Sequence, residues 1–400
     1  MIVLSICVGL LAAVLLLPTL SDVLSVVRIL GRRRSSRAGG AADAPDFLVL
    51  VPAHDEELLL PACLQSLHQL RYPAERVHVV VVADNCQDRT ADIARAAGVQ
   101  CLERTAPTEP GKPRAIAWAL GQLPITRYDA VVIVDADTEV DQEFTARLAS
   151  AAPLAGKVLQ PFNGVSNEGQ NALTRMAAVL SAANHGLAYV LKTKAGLNVP
   201  LSVGMCVGSR VLATHGWTVH TICEDWELYA QLTARGVRIE EVPAARIRAQ
   251  EAATLRASGS QRRRWTAGKL AVLFEHAGSL LRSRDIGIPQ KIDVLGELTA
   301  AGPALHLCIV AVTAAATWLL RPPGFAWLSV SLLASLVRPM LYTLVALAKD
   351  REPLRAAGAF VVLPFYAVWR LWVAVTSLGA LTSRLWVRTE RHGAGRIAAR

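Results

Sequence analysis

Four long apolar runs dominate the pattern of hydrophobic and polar positions along the chain. The first, at residues 2–20, reads IVLSICVGLLAAVLLLPTL and carries no charge, and three more follow at 298–320, 327–347 and 360–381. A helix needs about 20 apolar residues to cross a bilayer. We therefore expect one N-terminal and three C-terminal membrane-spanning helices. Residues 266–281 mix apolar and polar positions, which is typical of an interfacial helix.

A different pattern fills the region between the first two apolar runs. Three short segments rich in Val and Ile end in Pro or acidic residues: FLVLVPA at 47–53, VHVVVVADN at 77–85 and YDAVVIVDAD at 128–137. Helix-like stretches separate them, at 57–70 and 88–97. Near-continuous apolar strands alternating with helices are typical of a parallel sheet buried on both faces. The pattern therefore predicts an α/β domain with a mostly parallel sheet, whose ligand binds at the carboxyl ends of the strands.

These changes in pattern divide the chain into six predicted segments. They are an N-terminal transmembrane anchor at 1–31, a linker at 32–45, an α/β catalytic domain at 46–268, interfacial helices at 269–297, a C-terminal membrane region at 298–388 and a basic tail at 389–400.

Composition agrees with a membrane protein that has a sizeable polar part. Of 400 residues, 52% are hydrophobic and only 18% are charged, which excludes a disordered chain and argues against a wholly soluble one. The seven cysteines include no CxxC pair, so neither a disulfide framework nor a zinc site is expected.

The net charge of +10 is concentrated beside the apolar runs rather than within the α/β segment. One basic cluster lies at 28–37 and another at 384–400. Lys and Arg that flank membrane spans mark the cytoplasmic side, which favours a membrane protein over a nucleic-acid binder. The expected location is the plasma (inner) membrane, with the N-terminus outside and the α/β domain cytoplasmic. Four full spans would place the basic tail outside, so either the last run is interfacial or re-entrant, or one predicted span is wrong.

Acidic residues stand where the predicted sheet would bind its ligand. Asp135 and Asp137 follow the run VVIV, and two such carboxylates can share a divalent ion such as Mg²⁺ or Mn²⁺ with phosphate oxygens. Asp84 ends the previous run and could accept hydrogen bonds from a base or a sugar. The alternative for each is a polar turn. Glu224 and Asp225 open a helical pattern, either as a helix cap or with Asp225 as a general base.

The segment Gln261-Arg-Arg-Arg264-Trp265 is the least expected local pattern from the composition of this chain. Arginine can bind a diphosphate in a bidentate manner, and tryptophan offers a face on which a sugar ring can stack. The alternative is a basic stretch beside the membrane that attracts anionic lipid.

These motifs occur together, in order, before a membrane region, and the combination resembles the membrane-embedded family 2 glycosyltransferases, such as the synthases of cellulose, hyaluronan, chitin and poly-N-acetylglucosamine. The resemblance covers roughly residues 46–268 and implies a GT-A-like nucleotide-sugar-binding fold. Three further segments are similar to the family: VPAHDEE at 51–57, GKPRA at 111–115 and SVGMCVGS at 202–209.

On the donor side, the resemblance implies that Glu56 and Asp84 contact the uridine of a UDP-sugar. Asp135 would contact the ribose or a phosphate of the nucleotide. Lys112 and Arg264 would lie beside the diphosphate. A divalent ion, Mn²⁺ or Mg²⁺, would bind at Asp137.

On the acceptor side, the resemblance implies that Asp225 is the catalytic base, with Glu224 beside it. Gln261, Trp265 and Cys206, which lies in the loop SVGMCVGS, would contact the acceptor. Direct displacement by the acceptor hydroxyl would invert the anomeric centre.

Two acceptors remain open from the sequence. The first is a growing polysaccharide, which the presence of Gln261 favours. The second is a lipid that receives one sugar, as in ceramide glucosyltransferases, which the small number of spans favours. A partner subunit or homo-oligomer could supply further helices for a polysaccharide channel. A non-catalytic membrane scaffold on this fold is a third hypothesis, and the full set of acidic residues argues against it.

Overall fold

The computed structural model describes residues 1–31 and 44–377. Most of the predicted linker, the end of the C-terminal membrane region and the basic tail lie outside these residues. The described chain forms two compact units. The sheet unit holds 44–167 and 199–252, and the helical unit holds 1–31, 168–198 and 253–377. Part of the predicted catalytic domain, including the Gln261–Trp265 motif, therefore belongs to the helical unit.

All described strands belong to one eight-stranded sheet in the order β3-β2-β1-β4-β7-β6-β8-β5. They are β1 (Phe47–Ala53), β2 (Val77–Asp84), β3 (Gln100–Arg104), β4 (Ala130–Ile133), β5 (Thr138–Val140), β6 (Val158–Val165), β7 (Cys206–Gly208) and β8 (Ile239–Ala249).

Helices surround the sheet and build the second unit. The α-helices are α1 (Ile2–Gly31), α2 (Leu60–His68), α3 (Thr90–Ala96), α4 (Lys112–Gln122), α5 (Phe144–Ala149), α6 (Ala172–Ala183), α7 (Tyr189–Ala195), α8 (Ser209–His215), α9 (Glu224–Ala234), α10 (Leu255–Arg282), α11 (Ile288–Thr299), α12 (Pro303–Leu320), α13 (Phe325–Ser335), α14 (Val337–Ala348), α15 (Pro353–Gly358) and α16 (Leu363–Ser377).

The sheet is mixed, with its parallel part where the apolar runs predicted it. Strands β1, β2, β3 and β4 pair in parallel, and so do β6 and β8. Strand β7 pairs antiparallel with β4 and β6, and β5 pairs antiparallel with β8. All seven residues of β1 are buried, as expected for a strand covered by helices on both faces. The parallel strands carry their carboxyl ends to one edge, which is where the acidic residues fall.

The short strand β7 depends on a glycine. A Cβ atom on Gly208 would lie 2.3 Å from the backbone oxygens of Leu154 and Ala155, so no side chain fits there. Gly204 precedes the strand with φ +79°, a conformation that disfavours other residues. Strand β7, which lies between β4 and β6 in the sheet, is therefore packed directly against the backbone of Leu154 and Ala155.

The helical unit contains the predicted apolar runs. Among the described residues, four helical segments are long and apolar enough to cross a membrane: Ile2–Gly31, Pro303–Leu320, Phe325–Ala348 and Pro353–Ser377. Helix α1 also packs closely on α11, where a Cβ on Gly296 would lie 3.3 Å from the backbone of Leu17. The number of spans agrees with the sequence. The interfacial placement of residues 269–297, which fall on α10 and α11, stays a prediction.

Candidate active site

Three charged residues meet beyond the carboxyl ends of the parallel strands. Asp135 follows β4 by two residues, Lys112 begins α4 and Glu224 begins α9. The Nζ atom of Lys112 lies 2.5 Å from Oδ1 of Asp135 and 2.7 Å from Oε1 of Glu224. Although burial opposes its charge, the two carboxylates hold the pKa of Lys112 well above its ordinary value. The structure therefore brings together one residue from each of three predicted motifs.

Asp225 lies next to this cluster, in the first turn of α9. Its Oδ1 accepts a hydrogen bond of 2.8 Å from the backbone N–H of Trp226. Burial raises the pKa of Asp225 to about 7, and the negative charge of Glu224 adds to the rise, while the positive charge of Lys112 opposes it. A carboxyl group with a pKa near 7 can exchange a proton at neutral pH, as a general base must.

Asp137 stands two residues beyond Asp135 and is also half-buried. Its Oδ1 accepts a hydrogen bond of 3.2 Å from the hydroxyl of Thr138. The carboxylates of Asp135 and Asp137 supply oxygen donors, which are the ligands that Mg²⁺ and Mn²⁺ prefer. The chemistry of these residues therefore fits the divalent ion that the sequence predicts.

Asp84 has a partner that the sequence analysis missed. Arg104, the last residue of β3, donates from Nη1 to Oδ1 of Asp84 at 2.6 Å, and both residues are more than nine-tenths buried. Asn85 donates to the same oxygen at 3.1 Å. Because β2 and β3 are parallel neighbours with Asp84 opposite Arg104, the pair follows from strand register. Arg104 thus fixes the orientation of a carboxylate predicted to face the nucleotide.

Glu56 lies in the loop after β1, and hydrogen bonds join this loop to the residues that follow β2. The backbone N–H of Glu56 donates to the hydroxyl of Thr90 at 2.8 Å, and that of Glu57 donates to Asp88 Oδ2 at 3.0 Å. In the other direction, Asp55 Oδ1 accepts from the backbone N–H of Gln87 at 2.7 Å. These bonds place Glu56, half-buried, at the same edge of the sheet as Asp84.

Glu227 is a second residue that the sequence analysis missed. Its side chain is fully buried, and its Oε2 accepts from the backbone N–H groups of His220 and Thr221 at 2.9 and 2.8 Å. Gln231 donates to its other oxygen at 3.1 Å. The carboxylate thereby holds the segment that leads into Glu224 and Asp225. An acidic residue three positions after Glu224, on the inner face of the same helix, was the available signal.

The expectation that Cys206 contacts an acceptor does not fit its position. Cys206 lies in β7, paired with Val132 on one side and Leu159 on the other, and only 1% of it is exposed. Burial raises the pKa of its thiol to about 12, so the group stays neutral. Its role is to pack within the core, and we correct the prediction accordingly.

The last predicted motif lies on α10 in the helical unit. Gln261 is buried, Arg264 is half-buried and Trp265 is 39% exposed. Gln261 precedes Arg264 by three positions and Trp265 by four, so the three share one face of the helix. The guanidinium of Arg262 lies 4.9 Å from the ring centre of Trp265. The roles predicted for Gln261, Arg264 and Trp265 stay predictions.

Comparison with known proteins defines the class. The model of a family described as glycosyltransferase like family 2 matches residues 45–268, more than half of the chain. The chain therefore belongs to this family. Its structure is similar to that of the mannosyltransferase PcManGT from Pyrobaculum calidifontis, which was solved with GDP-Man and Mn²⁺. The TM-score is 0.59, the identity is 19%, and the alignment covers 95% of this chain and 99% of the other. The similarity identifies a GT-A-like fold.

Three curated relatives also match the chain, but each match covers a smaller share of the relative than the 99% covered in the mannosyltransferase. It is 27% identical over 247 residues to the probable glycosyltransferase YdaM of Bacillus subtilis (58% of this chain, 57% of the relative). It is 26% identical over 280 residues to a beta-monoglucosyldiacylglycerol synthase of Synechocystis sp. (66% and 57%). It is 23% identical over 269 residues to glucomannan 4-beta-mannosyltransferase 7 of Arabidopsis thaliana (63% and 48%). The chain spans about half the length of these relatives.

Proposed function

We propose that this protein transfers a sugar from a nucleotide-sugar donor to the hydroxyl of a membrane-held acceptor, with inversion at the anomeric carbon. The observation that carries the proposal is Asp225, a carboxyl group with a pKa of about 7 beside Lys112, Asp135 and Glu224. Asp225 takes the proton of the acceptor hydroxyl while that oxygen attacks the sugar and the nucleoside diphosphate leaves. One displacement inverts the centre, and no carboxylate nucleophile is required.

The residues on the donor side bind and orient the nucleotide sugar. Glu56 and Asp84 contact the nucleoside, for which uridine is our first assignment, and Arg104 keeps Asp84 in place. Asp135 contacts the ribose or a phosphate. The ammonium group of Lys112 supplies positive charge beside the diphosphate.

For three residues of α10, the proposal follows the resemblance to the family. Arg264 would bind the diphosphate. Gln261 and Trp265 contact the acceptor, for which the partly exposed indole of Trp265 offers a stacking face.

A divalent ion, Mn²⁺ or Mg²⁺, would be held by Asp137 together with Asp135. When bound, it would neutralise the negative charge that develops on the departing diphosphate.

For the acceptor we propose a lipid that receives a single sugar. The similarity to a beta-monoglucosyldiacylglycerol synthase covers 66% of this chain, and two further synthases of that name also match. A polysaccharide acceptor is the second candidate, supported by the similarity to a glucomannan mannosyltransferase and by the presence of Gln261. In either case, we propose that the sheet unit faces the cytoplasm at the plasma (inner) membrane.

Donor turnover by membranes that contain the full protein tests this proposal. Radiolabelled UDP-sugars and GDP-mannose are supplied with Mn²⁺ or Mg²⁺, and the products are divided between organic and aqueous phases. Asp137→Ala is the test variant. Asp141→Ala is the matched control, because Asp141 is a carboxylate paired at the surface with Arg248 at 2.6 Å.

We expect label to be incorporated by the wild type and Asp141→Ala but not by Asp137→Ala, and to enter the organic phase. Label confined to the aqueous, polymeric fraction would replace the lipid with the second candidate. Failure of every donor, in membranes where the protein is folded, would contradict the proposed activity.

A further inference from the structure

Gln160 is a fully buried amide in the sheet unit, and it holds the residues that lead into β7. It lies on β6, and none of it is exposed. Its Oε1 accepts from the backbone N–H of Ser202 at 2.7 Å. The hydrogens of its Nε2 are shared among three acceptors: the hydroxyl oxygen of Ser202 at 2.9 Å and the carbonyl oxygens of Pro161 at 2.9 Å and Val203 at 3.3 Å. The amide thus fixes both the backbone and the side chain of Ser202.

The partners of Gln160 determine how the hydroxyl of Ser202 is used. A backbone N–H can only donate and a carbonyl oxygen can only accept, so these neighbours fix which end of the amide is nitrogen. The amide nitrogen can only donate, and the hydroxyl oxygen of Ser202 therefore accepts from it. Within the part of the chain that the structure describes, this hydroxyl donates to no acceptor. Ser202 is half-buried, and the hydrogen of its hydroxyl is left for a ligand.

Ser202 lies at the edge of the sheet where the acidic residues of the candidate active site also lie. Strand β7 runs antiparallel to both β4 and β6, so the residues that precede it lie at the carboxyl ends of those two strands. The backbone N–H of Gly204 donates to the carbonyl oxygen of Ile133 at 2.9 Å, and the N–H of Ile133 donates to that of Met205 at 3.0 Å. Ile133 ends β4, and Asp135 follows it by two positions. The loop that carries Ser202 is therefore anchored beside the strand end that carries Asp135.

The order of the strands indicates which part of a nucleotide sugar would reach Ser202. Along the sheet, β2, β1, β4, β7 and β6 follow one another as neighbours. In the proposed function, Asp84 at the end of β2 contacts the nucleoside, and Asp135 after β4 contacts the ribose or a phosphate. The sugar is bonded to the far end of the diphosphate, so it continues along the edge in the direction away from Asp84. That direction leads from β4 to the residues before β7, among them Ser202.

We propose that Ser202 donates a hydrogen bond to a hydroxyl oxygen of the transferred sugar, and that Gln160 is the positioning residue that orients it. The inference rests on the proposed function and adds a sugar-binding residue to the same site. It also gives the segment SVGMCVGS a ligand contact at Ser202 in place of the buried Cys206. A site with a fixed donor discriminates against a ligand that lacks the matching acceptor.

Binding calorimetry of the full, detergent-solubilised protein in the presence of Mn²⁺ tests this contact. UDP-glucose, UDP-N-acetylglucosamine and GDP-mannose are titrated, and UDP and GDP are titrated beside them because they lack the sugar. The test variant is Ser202→Ala. The matched control is Ser150→Ala, because Ser150 is exposed after α5 and its hydroxyl donates to the carbonyl oxygen of Arg147 at 2.6 Å.

We expect Ser202→Ala to bind the nucleotide sugar that the wild type prefers about 3–10-fold more weakly, and to bind the free nucleoside diphosphate as the wild type does. Ser150→Ala should match the wild type for both ligands. An unchanged affinity of Ser202→Ala for the nucleotide sugar would overturn the inference, and so would equal losses for the nucleotide sugar and the free diphosphate. If the folded wild type bound none of these ligands, the proposed function itself would be contradicted, and this inference with it.

The variant Gln160→Met tests the positioning role when it is combined with Ser202→Ala. Methionine is similar in length to glutamine but cannot donate a hydrogen bond to the hydroxyl of Ser202. Gln160→Met alone should therefore weaken the binding of the nucleotide sugar. It should add little to the loss already caused by Ser202→Ala, because the hydroxyl that Gln160 orients is then absent. Losses that add in full would show that Gln160 does not act through Ser202, and would overturn its positioning role.

Discussion

Each unit of this protein holds a lysine between two carboxylates, yet the two clusters differ in their surroundings. In the sheet unit, Lys112 contacts Asp135 and Glu224, and 24% of its side chain is exposed. In the helical unit, the Nζ atom of Lys192 lies 2.6 Å from Asp293 and 2.6 Å from Glu297, and only 1% of the side chain is exposed. The same arrangement of one lysine and two carboxylates is thus partly exposed in the sheet unit and buried in the helical unit.

The neighbours of each cluster determine what its carboxylates can do. Beside Glu224 stands another acid, Asp225, whose pKa burial and that negative charge raise to about 7. Beside Glu297 stands Arg338, 3.8 Å away. Although burial opposes its charge, Lys192 and Arg338 lower the pKa of Glu297 to about 2. Glu224 beside Asp225 therefore helps to create a carboxyl group that exchanges protons at neutral pH. Arg338 beside Glu297 instead helps to keep that carboxylate ionised.

The second cluster ties together helices that are distant in the sequence. Lys192 lies in the last turn of α7, Asp293 and Glu297 lie four positions apart on α11, and Ser21 of α1 donates to Asp293 at 2.5 Å. Arg338 of α14 extends the network through a 2.8 Å contact with Asp22 of α1. We infer that this network stabilises the helical unit and that the Lys112 cluster serves chemistry.

The largest effect is expected from Asp225→Asn. Loss of the base should reduce kcat by about 10²–10⁴-fold, because general-base catalysis contributes on that scale, while donor affinity is retained. Transfer assays and donor-binding calorimetry measure the two quantities. Asp141→Asn serves as the control and should keep its activity. If donor affinity disappeared as well, Asp225 would be a structural residue.

The next largest effect is a difference in the free energy of unfolding between variants of the two lysines. Lys192→Met leaves two buried carboxylates without their cation and should lower the free energy of unfolding by about 3–5 kcal/mol. Lys112→Met should cost less, because Asp135 is 26% exposed and can be hydrated. Thermal unfolding of the detergent-solubilised proteins compares them. Equal melting temperatures for the two variants would remove the distinction between the clusters.

Ser21→Ala should have a smaller effect in the same direction. It removes a hydrogen bond to the carboxylate of Asp293, a loss of about 1–3 kcal/mol for a buried charged acceptor. The melting temperature should fall less than in Lys192→Met, while the pH dependence of transfer is unchanged. A change in that pH dependence would mean that the second cluster also takes part in the chemistry.

The smallest effects are opposite shifts in the pH dependence of transfer. Glu224→Gln removes a negative charge that raises the pKa of Asp225, so the acid limb of kcat should move to lower pH. Lys112→Met removes a positive charge that lowers this pKa, so the limb should move to higher pH. Each shift should be about one pH unit or less. Residual activity measured across pH 5–9 reveals them, and shifts of the same sign would contradict the electrostatic account.

The parallel part of the sheet was predictable because its strands are continuous apolar runs with acids at their ends. Asp84 ends β2 and Asp135 follows β4, and both strands run parallel to β1, which lies between them, so topology places both carboxylates at the same edge of the sheet. The sequence analysis missed Arg104 because β3, with the sequence QCLER, is short and only partly buried. Cys206 was assigned wrongly because a three-residue strand between two antiparallel neighbours gives little signal in the sequence.

The charged network of the helical unit could not be derived in the same way. The spacing of Asp293 and Glu297 marks one helix face, but Lys192 is about a hundred positions away and Arg338 belongs to an apolar run. Only the packing of α1, α7, α11 and α14 brings their charges together.

The start of α6, in contrast, has a signal in the local sequence, because Asn171 and Thr174 form a capping box.

The most direct test of the account is the pH dependence of kcat for sugar transfer by the wild-type protein, once its donor is known. Asp225 must be ionised to accept a proton, so activity should rise with pH and reach half its maximum near pH 7, where its pKa lies. It should fall about tenfold for each pH unit below that point. A flat profile between pH 5 and 8 would show that no group with this pKa acts as the base, and would contradict the assignment of Asp225.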